Sequence, residues 1–189
     1  MINRADHLWY FELPAVALID GSVPECRIAS AVEFAVTFGA IDMRPSELQV
    51  SVSATRLGDF RYEILGSVLQ RHHELAVVDI GILTFGKTEI HAHSGVSGTV
   101  SLSVDIFGDY EDCMSEYDDV PALIYSWEVA EIWKADTAKE TPPAKQTAGG
   151  KVSERTYSPV GSTNIRYYGA WTDYYLGCKL QSITPKRPG

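Results

Sequence analysis

Two histidines one residue apart, His91 and His93, are the side chains of this chain best spaced to hold a metal ion. On a strand, residues i and i+2 share a face, so both imidazoles would point the same way. Carboxylates such as Glu89 or Asp105 would then complete a divalent-metal shell. The same pair on the wet face of an edge hairpin is ordinary solvated surface. The expectation is therefore no cofactor, with a divalent metal on His91 and His93 as the alternative. His72, His73 and Glu74 are adjacent, and adjacent strand residues point oppositely, so they cannot chelate together and a turn is expected there.

A second constellation is acidic. Asp105, Asp109, Glu111, Asp112, Glu116, Asp118 and Asp119 fall within fifteen residues that contain no Lys or Arg. The glycine and distal glutamate of a calcium-binding EF-hand loop are missing from this run. As a local patch, Asp109, Glu111, Asp112, Glu116, Asp118 and Asp119 are expected to dock a protein partner carrying basic charge. Lys134, Lys139, Lys145, Lys151 and Arg155 follow later and could lie across the acids as a weakly held lid.

The third constellation is aromatic. Tyr167, Tyr168, Trp171, Tyr174 and Tyr175 crowd into nine residues near the C-terminus. Tyrosine and tryptophan join a large apolar area to a polar tip, which suits both interfaces and ligand pockets. The candidate pocket residues are His91, His93, Asp105, Trp127, Tyr168, Trp171 and Tyr175. A nucleophile elbow, a P-loop, a dinucleotide fingerprint and a zinc knuckle are all missing from the sequence.

Strands must position these residues. Val32, Phe34, Val36 and Phe38 alternate with polar or small neighbours, as do Leu48, Val50, Val52 and Ala54, and Val100, Leu102, Val104 and Ile106. Period two writes a sheet with one dry and one wetter face. Strands are expected near 8–13, 28–38, 48–56, 75–85, 88–93, 99–107, 123–134 and 164–183. A hairpin return is favoured over a short helix at 60–69, because Gly66 weakens a helix. Residues 75–85 are almost continuously apolar, which predicts one central strand covered on both faces. Ser94-Gly95-Val96-Ser97-Gly98 reads as the loop of the next hairpin.

Eight or nine short strands with little helix imply an all-β antiparallel sandwich, jelly roll or closed β-barrel. Residues 1–134 are expected to form the main β domain. A flexible loop containing Pro, Gly and Lys spans 135–162, and an aromatic strand at 163–184 completes the same domain.

The 189 residues carry 16 Lys and Arg against 25 Asp and Glu, a net charge of −9. With no basic footprint, nucleic-acid binding is not expected. No run approaches the ~20 apolar residues of a membrane-spanning helix, so no membrane partner is expected either. Cys26, Cys113 and Cys178 are odd in number and scattered, which points to reduced thiols and a cytoplasmic setting, with a Cys26–Cys178 bridge as the exception. The functional expectation is a non-enzymatic binding module that engages a protein partner or forms a homo-oligomer. It would use the acidic patch and the aromatic C-terminal strand. The alternative is a β-barrel enzyme, cyclase- or isomerase-like or with a histidine metal site, holding a small apolar ligand in the barrel mouth. The polar rows are mostly Ser, Thr, Ala and Gln, with Ser51, Ser53, Ser101 and Ser103 among them, and such small faces suit a second covered layer, a barrel interior or a subunit contact better than open water.

Overall fold

The computed structural model describes residues 7–19, 21, 23–47, 51–105, 110, 116–117, 119–136, 156–163 and 173–187. Among them run β1 (Leu8–Leu13), a single turn of helix α1 (Ala15–Ile19), β2 (Ala31–Phe34), β3 (Val36–Ser46) and β4 (Ser53–Gly58). Then come β5 (Arg61–His72), β6 (Leu75–Asp79), β7 (Leu83–Lys87), β8 (Gly95–Val104), β9 (Tyr125–Ala135), β10 (Tyr157–Pro159) and β11 (Tyr174–Leu180).

Strand β8 is the hub. One edge pairs antiparallel with β3, from Val36↔Val104 to Ser46↔Gly95. The other edge takes β5 over Gly95–Ser101 and then β1 at Ser103↔Glu12. A ring closes because β3 meets β7 at Thr37↔Phe85, β7 pairs β6, and β6 pairs β5. A second circuit leaves β8 through β1, β11, β9 and β2, and returns because β2 runs into β3 across Ala35. The result is a closed β-barrel core with outer strands.

The alternation decides what fills it. Trp9, Phe11 and Leu13 of β1 point inward with Phe34, Tyr62, Ile64, Leu102, Trp127 and Leu176. Phe34 stacks on Trp127, and Phe11 meets the Trp127 ring edge-on at 4.8 Å. A smaller second core, Ala35, Val77, Phe85, Tyr110, Val120 and Leu123, covers the outer face of β6 and β7.

Several expected elements are corrected. The apolar run at 75–85 is a hairpin, not one strand: the chain reverses at Asp79–Gly81, where Asp79 Oδ1 accepts from the Gly81 N–H at 2.8 Å. It is apolar throughout because the barrel core covers one face and the second core the other. Residues 88–93 form no strand, and Gly95–Gly98 belong to β8 itself. Gly98 has φ +141°, and a β-carbon there would overlap the Asp42 carbonyl where β3 bulges. Only glycine lets the two strands pass this closely.

The strand expected at 28–38 bends at Ala35 and then continues through Pro45 to Ser46. Beyond Phe38 the outer edge of β3 has no partner strand among the described residues, which tolerates a proline. The β4–β5 hairpin forms as expected around Gly58 and Asp59. Within the expected loop, 137–155 lie outside the described residues, while Tyr157–Pro159 pairs with β9. Of the expected C-terminal strand, 164–172 likewise lie outside them.

Candidate functional site

Alternation sends Tyr174, Leu176 and Cys178 of β11 into the core, so Tyr175, Gly177 and Lys179 face outward. The same rule turns Tyr10 and Glu12 of β1 outward, and Glu131 and Trp133 of β9. Register then aligns them. Tyr175 lies opposite Trp133 on one side and Glu12 on the other, and Gly177 lies between Tyr10 and Glu131. Having no side chain, Gly177 lets the Tyr10 ring cross β11, and the Tyr10 hydroxyl donates to Glu131 Oε2 at 3.1 Å. A β-carbon on Gly177 would sit 2.9 Å from Tyr10 Cε1 and 3.1 Å from Glu131 Cβ. The Trp133 indole N–H donates to the same Glu131 oxygen at 3.0 Å.

Tyr175 centres a cluster of rings. Trp133 stacks on it at 5.7 Å, Tyr157 from β10 meets it edge-on at 4.8 Å, and Tyr10 meets it edge-on at 6.0 Å. Although on the outer side of the sheet, Tyr10 and Tyr175 are only 8% and 5% exposed. Arg56 from the outer strand β4 lies against them, with its Cζ 3.3 Å above the Tyr10 ring centre and 5.9 Å from that of Tyr175. Its Nε–H donates to the Asp59 carbonyl at 2.8 Å, across the β4–β5 turn. Among the described residues Arg56 makes no ion pair with a carboxylate. The hairpin is tied to β1 by buried Tyr62, opposite Arg56 on β5, whose hydroxyl oxygen accepts the Tyr10 N–H at 2.7 Å.

Burial pushes the Tyr10 phenol pKa up, and the hydrogen bond and charge of Glu131 add to this, while the Arg56 charge opposes it. Burial likewise raises Tyr175, again opposed by Arg56. Both phenols therefore stay neutral hydrogen-bond donors at ordinary pH. Ring faces carry negative quadrupole density, and with one carboxylate beside them the patch suits a soft, planar cation. It offers no nucleophile.

A second region is a groove of about 290 Å³ whose lining includes Pro14, Phe38, Phe85, Lys87, Ser101 and Asp105. The small polar rows of β3 and β8 end here, and their protons are already used. Thr37 Oγ1 donates to the Ser103 carbonyl, Ser103 Oγ to Glu12 Oε2, and Ser101 Oγ to the Gly39 carbonyl. Asp105 Oδ2 accepts from the Tyr110 N–H.

The sequence candidates are scattered. His91 and His93 are exposed and lie off any strand, His93 with φ +62°, so no strand puts their rings on one face. No group of three His, Cys, Asp or Glu able to hold a metal occurs among the described residues. Trp127 is in the barrel core, where its indole N–H donates to the Phe34 carbonyl. Asp105 lines the groove and Tyr175 centres the aromatic face, while Tyr168 and Trp171 lie outside the described residues. These candidates do not converge.

Of the acidic residues, Glu116 is exposed and Asp119 approaches His72 Nε2 at 3.3 Å, while Asp109, Glu111, Asp112 and Asp118 lie outside the described residues. The His72 ring stacks on Tyr117 at 4.2 Å. His73, with φ +53°, occupies the expected turn. The cysteines described, Cys26 and Cys178, are free and buried. Burial raises the Cys26 thiol to about 11 and the Cys178 thiol well above its ordinary value, so both are poor nucleophiles.

Sequence reasoning missed Tyr10, Arg56, Glu131, Trp133 and Tyr157. Alternation in Trp9-Tyr10-Phe11 and Glu131-Ile132-Trp133 carries a signal for three of them. Arg56 and Tyr157 have none, since only the tertiary fold brings them in.

No family model, curated protein or solved structure matches the chain. Among the described residues no helix is long and apolar enough to cross a membrane.

Proposed function

We propose that this chain is a non-enzymatic binding module that engages a protein partner through the aromatic outer face of β1, β11 and β9. One observation carries the reading. Tyr10, Trp133, Tyr157 and Tyr175 gather outside both hydrophobic cores, around a carboxylate and an arginine with no ion-pair partner among the described residues. Protein interfaces are enriched in tyrosine, tryptophan and arginine and concentrate their energy there. The acidic segment would add long-range attraction for a basic partner. A cytoplasmic setting goes with this reading, supported by the two buried free thiols.

The alternative, a small-molecule site, finds its best support in the groove beside Asp105. The internal use of its hydroxyl protons counts against it, since a ligand would gain few new donors there.

Selection of peptides from a random display library tests the reading. Enriched peptides should bind the wild-type protein and lose binding to Trp133→Ala. Failure to enrich any peptide, or equal binding by the variant, would count against it. Light scattering adds the self-association arm: a concentration-dependent dimer lost in Trp133→Ala would make a second copy the partner.

A further inference from the structure

Arg56 is a bound cation that the chain supplies to itself. Its guanidinium lies 3.3 Å above one ring and 5.9 Å from another, and a neighbouring carboxylate is oriented by two donors, the Tyr10 hydroxyl and the Trp133 indole. Aromatic faces with an adjacent carboxylate recognise flat, weakly hydrated cations, and a guanidinium fits that description better than an ammonium. The incumbent is held without an ion pair. Arg56 is exposed and stands on an outer strand, and its polar contacts are the Asp59 carbonyl and the Tyr10 and Tyr175 side chains, with no carboxylate partner among the described residues.

We propose that the Tyr10–Tyr175–Glu131 cage receives an arginine side chain of a partner protein, and that Arg56 is the stand-in it displaces. The inference rests on the aromatic face being the recognition surface and names the chemistry that surface reads. An incoming guanidinium would stack on Tyr10 as Arg56 does and present its N–H fork to Glu131, while Arg56 swings into solvent on its own long side chain. The net charge of −9 favours the approach of a basic segment.

The test is calorimetric titration with a blocked Gly-Ser peptide carrying one arginine, against the same peptide carrying citrulline, the neutral analogue. Arg56→Ala should bind the arginine peptide about tenfold tighter than wild type, because the competing cation is gone. The citrulline peptide should not bind either protein. Glu131→Gln, which keeps an acceptor for Tyr10 and Trp133 while losing the charge, should bind the arginine peptide more weakly. Unchanged or weaker binding by Arg56→Ala overturns the proposal, as does citrulline binding equal to arginine. So does an Arg56→Ala protein that fills the site by dimerising and excludes the peptide. If the display selection instead returns arginine-free peptides that need Trp133, the recognition face survives and this inference alone fails.

Discussion

The groove, on β3, β7 and β8, and the aromatic face, on β1, β9 and β11, are built on outward rows of different strands of one barrel, yet they use their polar groups oppositely. In the groove, the Thr37, Ser101 and Ser103 hydroxyls donate to the Ser103 carbonyl, the Gly39 carbonyl and Glu12 Oε2 respectively, so the row knits β1, β3 and β8 together. On the aromatic face, Glu131 is organised by two donors but meets no cation within ion-pair distance among the described residues, and Arg56 rests on ring faces. Small hydroxyl rows close a barrel. Large rings with an ordered charge are, on the proposed reading, what a partner would use.

The largest expected effect comes from filling the gap that lets the face form. Gly177→Val should cost about 2–3 kcal/mol in urea unfolding, because the new side chain meets Tyr10 and Glu131 inside van der Waals contact. It should also abolish binding of display-selected peptides. A variant as stable as wild type would mean the Tyr10 crossing is not a close fit.

Alkali provides the next test. The Tyr10, Tyr175 and Tyr62 phenols have folded-state pKa values raised above the ordinary 10.0, largely by burial. Their stabilisation is therefore complete below pH 10 and is lost as pH rises beyond it. Urea midpoints should hold level to about pH 9 and fall above pH 10. Tyr62→Phe should flatten that fall, and an unchanged slope would remove these phenols from the explanation.

In the groove, Ser103→Ala should cost about 1 kcal/mol, the worth of one hydrogen bond, and leave peptide affinity as it was. Lost affinity would move the site to the groove. The smallest effect is Asp119→Asn, under about 0.5 kcal/mol, because its contact with His72 is made by a mostly exposed carboxylate.

Alternation made β1, the β4–β5 hairpin, β8 and β9 legible, since one dry face imposes period two on each. It misled at 75–85, where a hairpin covered on both sides leaves no polar face to mark its turn beyond Asp79 and Gly81. It misled again at Gly95–Gly98, where glycines that usually signal a loop serve close strand passage. The C-terminal aromatic run pointed at Tyr175, and period two explains why that ring faces outward while Tyr174 is buried in the core. The cage itself was not legible. Tyr10 and Glu131 are 121 residues apart, and their contact depends on strand order and on a missing side chain at Gly177.

The most direct test follows the indole and amide resonances of isotope-labelled protein during titration with a display-selected peptide. Trp133, whose indole N–H reports on Glu131, should shift progressively and saturably, while the buried Trp127 indole and the Ser101 and Ser103 amides stay in place. Shifts confined to Ser101, Ser103 and Asp105, with Trp133 unmoved, would contradict the account and put the working surface in the groove.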